Sequence, residues 1–242
     1  MQMKIHLKNL SFYFVVLFLL VFRLQLDATL YNFNFSESNQ GWTGDFADYP
    51  IGEEAFYELS WGWANLPQAL PANNKAMVLS GNNHSDDLMM FLKKQVSGLE
   101  PNRDYKVDFV VTIETKIPTY QFGIGGSPGE SVFFKVGAST QEPVKVVRND
   151  YYRLNIDVGI QGNSGVNGVV IGNLAHSGVD PINPTFEPKE MNSSSSLHAT
   201  TDREGKLWLF VGTDSGFEGL SMYYVANVAV EAILCGANDK GP

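Results

Sequence analysis

The sequence predicts an all-β fold, an antiparallel β-sandwich of the jelly-roll type, after a cleaved N-terminal signal peptide. Two observations predict the sandwich. Short runs of apolar residues, many of them alternating with polar ones, follow one another along the chain, and clusters of Gly, Pro, Asn and Asp separate them. Long segments with the period of an amphipathic helix are hard to find. Many short strands with such turns are typical of two packed antiparallel sheets.

Residues 1–28 have the pattern of a secretory signal peptide. A pair of lysines is followed by a mostly apolar run over residues 10–22, which Arg23 ends. The run is shorter than the roughly 20 apolar residues that span a membrane, so we expect cleavage near Ala28 and no membrane insertion afterwards. The predicted mature chain, residues 29–242, is a single β-sandwich domain that is secreted, periplasmic or otherwise extracellular.

Nine segments of the mature chain carry strand patterns. In residues 105–114 the odd-numbered positions are apolar and the even-numbered ones, apart from Val110, are polar, so one face packs on a core. In residues 221–234 both faces are largely apolar, with the even-numbered positions from Tyr224 onward sharing one face, so this strand is expected to lie centrally in its sheet. The predicted strands are residues 30–35, 76–80, 88–96, 105–114, 131–136, 151–156, 168–174, 207–212 and 221–234.

Two polar segments, residues 115–130 and 175–203, lack these patterns and are predicted as surface loops. Loops often carry specificity, and plain connections between strands are the alternative interpretation.

The charge of the chain limits its partners. The formal net charge is −9, and cleavage removes three basic residues and one acidic residue, which makes it −11. An acidic surface repels phosphate backbones and anionic lipids, so the sequence predicts neither nucleic-acid nor membrane-surface binding. Neutral sugars, cations and proteins stay open as partners, as does the oligomeric state. The one cysteine, Cys235, excludes an intramolecular disulfide and is predicted to be a buried structural thiol.

The densest polar cluster is residues 81–87, Gly-Asn-Asn-His-Ser-Asp-Asp. Asn82, Asp86 and Asp87 offer hard oxygen donors, which are the ligands of Ca²⁺, so one interpretation is a structural calcium site. The other is a turn whose Asn and Asp side chains hydrogen-bond to its own backbone. His84 in the same turn is a candidate ligand-binding residue, with a solvated histidine as the alternative.

Aromatic and acidic residues crowd into residues 42–63. Flat rings stack on the C–H faces of sugars while carboxylates accept hydrogen bonds from hydroxyls, so the segment predicts carbohydrate contact. The alternative, which we apply to at least half of the rings, is that they fill the core from one strand face. The candidate ligand-binding residues of this segment are Trp42, Asp45, Asp48, Tyr49, Trp61 and Trp63.

Local catalytic motifs do not stand out. The sequence lacks His-Glu-x-x-His, and His84, His176 and His198 are far apart along the chain. Its one Gly-x-Ser-x-Gly match, residues 125–129, lies in a predicted glycine-rich loop that leads into a strand, whereas a nucleophile elbow leads into a helix. Paired carboxylates for glycoside hydrolysis can come from distant strands and leave no spacing signature. We predict no catalytic residue, and the sequence favours a protein that is not an enzyme.

Three segments resemble a known family. Residues 96–107, Val-Ser-Gly-Leu-Glu-Pro-Asn-Arg-Asp-Tyr-Lys-Val, look like the loop and Tyr-x-Val strand of galactose-binding-like jelly rolls and carbohydrate-binding modules. Residues 220–230 are similar to the closing strand of these modules, and residues 33–42 to their first strand. The resemblance implies the jelly-roll fold and a carbohydrate ligand. Many such modules carry a calcium-linked aspartate where this chain has Ala226, so the resemblance does not extend to that metal site.

Three functions of different classes follow as hypotheses. The first is a secreted, non-catalytic module that binds carbohydrate or another extracellular surface through loop aromatics and carboxylates. The second is a polysaccharide-active enzyme whose carboxylates lie on a concave sheet of a jelly roll. The third is a structural cell-surface protein without a small-molecule site.

Overall fold

The structure is a computed structural model that describes residues 28–67, 74–193 and 197–236. Within these ranges strands are the only regular secondary structure, and none of the described residues forms a membrane-spanning helix. The strands are β1 (Ala28–Asn34), β2 (Thr43–Ala47), β3 (Tyr49–Pro50), β4 (Ser60–Asn65), β5 (Lys75–Asn82), β6 (Leu88–Val96), β7 (Asp104–Thr115), β8 (Ile117–Pro118), β9 (Val132–Ser139), β10 (Lys145–Arg148), β11 (Tyr151–Leu154), β12 (Gly168–Asn173), β13 (Ala175–His176), β14 (Glu187–Asn192), β15 (Leu197–Thr200), β16 (Leu207–Ser215) and β17 (Leu220–Leu234).

Two antiparallel sheets make a sandwich. The seven-stranded sheet has the order β14-β7-β17-β5-β4, with β15 also paired to β7 and β1 to β17; the five-stranded sheet has the order β12-β9-β16-β6-β2. Strands β5, β6, β7 and β9 alternate between the sheets. Strand β16 then inserts between β6 and β9, and β17 inserts between β7 and the β5 edge. This is the strand order of a jelly roll, so the predicted fold class is confirmed.

The main core lies between the sheets. Apolar side chains from alternate positions of β5, β7 and β17 face those of β6, β9 and β16. The rings of Phe134 and Tyr223 meet edge to face across the sheets, with their centroids 5.8 Å apart. The alternation predicted for residues 105–114 is confirmed, and Val110 is the apolar side chain on the solvent face.

A β-bulge in β17 changes which side chains face the core. The register against β7 shifts between Val225 and Asn227, which makes Ala226 the extra residue. Tyr223 and Val225 face the core before the bulge, and Val228 and the even-numbered positions after it. The even-numbered side chains beyond the bulge therefore share the core face, as predicted. Tyr224, before the bulge, does not share that face, so the prediction is wrong for this residue. The central position of this strand is confirmed, since β7 pairs with one side of β17 and β5 and β1 with the other.

Residues 175–203 are more ordered than predicted. They contain β14 and β15, which both pair with the outer side of β7, so the prediction of a loop over this whole segment is wrong. Residues 115–130 are mostly loop, as predicted, apart from β8, which forms a short parallel pair with β13.

A second apolar layer covers the outer face of the five-stranded sheet. Strands β10, β11 and β3 form a small sheet, and the chain after β11 crosses the face of β6 and β16. This layer buries a separate cluster of Ala47, Met89, Phe91, Leu154, Ile156, Val158 and Phe210. Because the cover spans only part of the sheet, a pocket remains beside it.

Candidate functional site

A pocket of about 520 Å³ lies on the outer face of the five-stranded sheet. One wall is the chain from Arg153 through Ile160, and the other carries the carboxylates of Asp48, Asp87 and Asp214. This volume is within the range of about 300–1,000 Å³ that small-molecule sites occupy. The pocket combines an apolar cover with several converging charges, so we take it as the candidate site.

Arg153 on β11 joins two of the carboxylates. Its Nη1 donates to Asp48 Oδ1 at 2.9 Å and to Asp87 Oδ2 at 2.6 Å. The guanidinium also lies over the ring of Tyr151, 4.7 Å from the centroid. Asp48 itself adopts a left-handed backbone conformation with φ of 65°, which aspartate tolerates better than most residues. The tight connection between β2 and β3 thus turns its carboxylate into the pocket.

Asp48 and Asp87 are partly buried and share one cation, and the pKa of each carboxyl is raised. The pKa of Asp87 is raised to about 7, first by burial and then by the charges of Asp48 and Asp214, which Arg153 only partly offsets. Burial also raises the pKa of Asp48, against the lowering effect of its hydrogen bond from Arg153. Near neutral pH the pocket can therefore hold a proton on Asp87.

A buried ion pair forms the floor. Lys135 on β9 and Asp214 on β16 point outward from the main core at diagonal positions of neighbouring strands. Lys135 Nζ donates to Asp214 Oδ2 at 2.8 Å and to the carbonyl oxygen of Val158 at 3.0 Å. The backbone N–H of Gln161 also donates to Asp214 Oδ2, at 2.8 Å. Both oxygens of Asp214 are buried, and Oδ1 has no hydrogen-bond partner among the described residues.

The loop after β11 is held in place by Asp157. Its Oδ1 accepts from the N–H of Gly159 at 3.0 Å and its Oδ2 from the N–H of Val166 at 3.2 Å. These backbone hydrogen bonds lower the pKa of Asp157. These two hydrogen bonds hold the loop in one conformation. The wall of the pocket that contains the largely exposed Ile160 therefore stays in place beside the carboxylates.

The aromatic candidates lie in two other places. Trp42 is fully buried and packs edge to face against Phe33 and Phe35, with centroids 5.3 and 6.0 Å apart. The interpretation of Trp42 as a ligand contact is therefore replaced by the core alternative. The ring of Tyr49 is also buried, and its hydroxyl accepts a hydrogen bond from Lys145 at 2.8 Å.

Trp61 and Trp63 lie at the open edge of the sandwich rather than at the pocket. Both are on β4, and each exposes somewhat more than a third of its surface, 39% and 36%. Trp63 Nε1 donates to the carbonyl oxygen of Phe35 at 2.7 Å, and Lys75 Nζ lies 3.8 Å above its ring. Trp61 lies directly against Gly44, where a Cβ would approach its ring to 2.5 Å. The two rings close the sandwich edge, and ligand contact through their exposed parts stays a prediction.

The acids and the histidine of the predicted clusters have separate partners. Asp45 lies 3.6 Å from Lys145 and outside the pocket. His84 stacks on Phe56 with centroids 4.0 Å apart, and its Nε2 lies 3.1 Å from the carbonyl oxygen of the same residue. Of the predicted ligand contacts, Asp48 alone lines the pocket.

The predicted calcium ligands do not share one centre. Asn82 Nδ2 donates to Glu58, the backbone carbonyl of Asp86 accepts from Gln161, and Asp87 accepts from Arg153. The described residues contain no group of three or more His, Cys, Asp or Glu side chains arranged to hold a metal ion. The donor set therefore does not fit calcium in this arrangement, and metal analysis of the protein is the test of the calcium prediction.

Sequence reasoning missed three of the charged residues at the site. Asp214 follows a predicted strand, Arg153 lies inside one, and Lys135 interrupts the apolar pattern of a third. A lysine within so apolar a strand is a signal for a buried partner. The partner itself could not be found, because Asp214 is distant in sequence. Cys235 is only half-buried, and the fold brings His198 Nδ1 to 3.7 Å from its Sγ.

Comparisons with known proteins return structures only. No protein-family model and no curated protein matches the sequence. The chain is similar to the carbohydrate-binding module TmCBM27, described for specific mannan recognition, at 12% identity and a TM-score of 0.35 over 84% of this chain and 97% of that chain. It is also similar to the K1 cleaved adhesin domain of Lys-gingipain from Porphyromonas gingivalis, at 13% identity and a TM-score of 0.37 over 86% and 99% of the two chains.

A third likeness is to the enzymatically active domain of tailspike protein 4 from bacteriophage CBA120, at 9% identity and a TM-score of 0.34. It covers 80% of this chain but only 19% of the tailspike domain. Because these TM-scores are low, the jelly-roll fold is assigned from the strand order of this chain alone. Carbohydrate-binding modules, the family that the sequence resembles, are among the structures to which this chain is similar.

Proposed function

We propose that this chain is a binding domain that holds a carbohydrate in the pocket beside Arg153. The observation that carries the proposal is the convergence of Asp48, Asp87, Asp214 and Arg153 on one cavity of about 520 Å³. Each sugar hydroxyl both donates and accepts a hydrogen bond. Carboxylates beside a guanidinium therefore offer complementary partners to neighbouring hydroxyls.

The cover supplies the apolar part of such a site. Leu154, Ile156 and Val158 line the pocket but are buried in the second apolar layer, so the largely exposed Ile160 offers the apolar surface. Apolar side chains can pack on the C–H face of a sugar ring while the charged side binds its hydroxyls. The proposed contacts thus lie on the sheet face and its cover, rather than on the aromatic segment that the sequence favoured.

We also propose that the protein works outside the cytoplasm. The support is the basic and apolar pattern of residues 1–28, which lie almost entirely outside the described residues. N-terminal sequencing of the exported protein tests this, with a mature start after Ala28 as the expected result.

A polysaccharide-active enzyme is the second candidate, and one observation favours it. Asp87 combines a pKa raised to about 7 with a neighbouring carboxylate, Asp48, which is the combination that glycosidases use for an acid and its partner. Against it, Arg153 donates to both carboxylates and occupies the space between them.

A glycan array followed by a turnover assay on every hit separates the candidates. We expect binding without bond cleavage. The variant Arg153→Gln, which removes the bridging charge, should weaken binding by about tenfold or more, which equals about 1.4 kcal/mol. The matched control Asp108→Asn changes a carboxylate that pairs with Lys106 on the seven-stranded sheet, and it should bind as the wild type does.

Other outcomes would overturn the proposal. Cleavage of a bound glycan selects the enzyme. An array without any hit favours the structural protein. Binding that is unchanged in Arg153→Gln removes the pocket as its location.

A further inference from the structure

An unsatisfied oxygen in the pocket indicates what its ligand carries. The side chain of Asp214 is 3% exposed, and its Oδ2 accepts hydrogen bonds from Lys135 and from the backbone of Gln161. Its Oδ1 is buried without a hydrogen-bond donor in the described part of the chain, although Asp214 lines the pocket. A buried acceptor without a partner costs about 1–3 kcal/mol, so a ligand that donates to it recovers that loss.

The charges around this oxygen are unequal. Four aspartates, Asp48, Asp87, Asp157 and Asp214, line the pocket together with two arginines, Arg148 and Arg153. The guanidinium of Arg153 is already shared between Asp48 and Asp87. The buried ammonium of Lys135, at the floor of the pocket, adds one positive charge, and it is paired with Asp214. When Asp87 is ionised, the four carboxylates exceed the three cations by one, and the pocket favours a ligand with positive charge over one with negative charge.

We propose that the pocket selects a glycan with free, protonated amino groups, and that an ammonium donates to Asp214 Oδ1. The inference rests on the proposed function and names the class of sugar for the same site. An ammonium has three donors and no acceptor, whereas a hydroxyl offers one donor. Hydrogen bonds between an ammonium and a carboxylate are about twice as strong as neutral ones. The expected preference is amino sugar over its N-acetylated form, and either of these over an acidic sugar.

The test compares two ligands that differ in one group. Glucosamine oligomers and N-acetylglucosamine oligomers of equal length are titrated calorimetrically near pH 7, where Asp87 is partly ionised and the free amine is partly protonated. Galacturonate oligomers serve as the acidic ligand. We expect the dissociation constant for the glucosamine oligomer to be at least about tenfold lower than for the acetylated one. High salt should reduce this preference, because it depends on charge.

Two variants locate the preference. Asp214→Asn should abolish it, but this variant leaves Lys135 buried without its partner and can fail to fold. Asp87→Asn removes a pocket charge without touching the ion pair, so it should weaken binding of the glucosamine oligomer more than binding of the acetylated one and thereby reduce the ratio of the two affinities. Asp108→Asn is the control and should leave both affinities unchanged.

The failures are distinguishable. Equal affinity for the two oligomers, or tighter binding of the galacturonate oligomer, overturns the inference and leaves the carbohydrate site standing. A preference for the amine that is undiminished in Asp87→Asn also overturns it, because the ammonium then lies outside this group of carboxylates. Binding to none of these oligomers, together with an empty glycan array, overturns the proposed function itself.

Discussion

Asp87 shows how a single side chain connects the pocket to the stability of the fold. Its carboxylate is partly buried, shares Arg153 with Asp48 and faces the charge of Asp214, with Tyr57 also nearby. The protein keeps this unfavourable grouping of acids although one arginine cannot neutralise both of its partners. Such groupings are common at binding and catalytic sites, where affinity for a ligand outweighs stability.

The stability of the protein should therefore depend on pH through this residue. The pKa of Asp87 is about 7 in the folded chain, against an ordinary value of 3.8. The folded state binds more protons between about pH 4 and pH 7, so the free energy of unfolding contributed by Asp87 falls as pH rises through this range. Asp87→Asn has no such titration. From about pH 5 to about pH 8 it should gain stability relative to the wild type, by on the order of 3 kcal/mol at most.

Urea unfolding of both proteins at the two pH values measures the difference. Asp108→Asn is the control, because its carboxylate pairs with Lys106 on an accessible face, and it should follow the wild-type curve. Parallel curves for Asp87→Asn and the wild type would show that the carboxyl is not held protonated by the fold.

The strands nearest the site depend on glycines for close packing. Gly137 on β9 lies beneath the ring of Phe210, and a Cβ there would be 1.9 Å from Phe210 Cε1 and 2.2 Å from the carbonyl oxygen of Asn167. The backbone oxygen cannot move aside as a flexible side chain can. The small residue thus lets the cover approach the five-stranded sheet and complete the second apolar layer.

Gly137→Ala should destabilise the protein by about 1–3 kcal/mol, because the added methyl group overpacks a closed layer. The matched control is Gly62→Ala on β4, where a Cβ meets no atom within 4 Å. There we expect a change near zero or a slight stabilisation, since alanine restricts the unfolded chain. Thermal unfolding of the two variants measures both effects, and equal melting temperatures would contradict this account of the packing.

Single strands were predictable where apolar residues recur along them. All nine predicted strands exist, including β1 and β12, which each pair along one side only. Strand β14, Glu-Pro-Lys-Glu-Met-Asn, was missed because it exposes charges and a proline, as edge strands commonly do. The bulge at Ala226 could not be foreseen either, since an extra residue reverses the facing without changing composition.

The site is formed by residues from several distant segments of the chain, so the sequence predicted only some of them. Asp48 and Asp87 were recognised as candidates for different roles, a sugar contact and a calcium ligand. Arg153 and Asp214 come from two further segments, and only the jelly-roll order brings the four together. Aromatic density was a poor guide, because Trp42 and Tyr49 supply bulk to the core.

A measurement on the whole protein tests whether calcium binds to it. Arg153 engages the carboxylate of Asp87, and the amide of Asn82 donates to Glu58, so we expect the same unfolding temperature in EDTA and in excess calcium. A bound ion would stabilise the folded state in proportion to the logarithm of its concentration above the dissociation constant. A melting temperature that rises with calcium, or one equivalent of the metal in the purified protein, would restore the predicted site.

The places of β16 and β17 have a consequence for the order of folding. Each supplies the middle of a sheet, and β17 also pairs with β1, so residues 227–233 lie against residues 28–34. Until residues 207–234 have left the ribosome, the earlier strands lack the neighbours that join them. The pairs that join each sheet through β16 or β17 must then wait for these residues, and contacts this distant in sequence form in milliseconds to seconds rather than microseconds. Hairpins such as β4–β5 can form earlier, but neither sheet is complete before its last strand arrives.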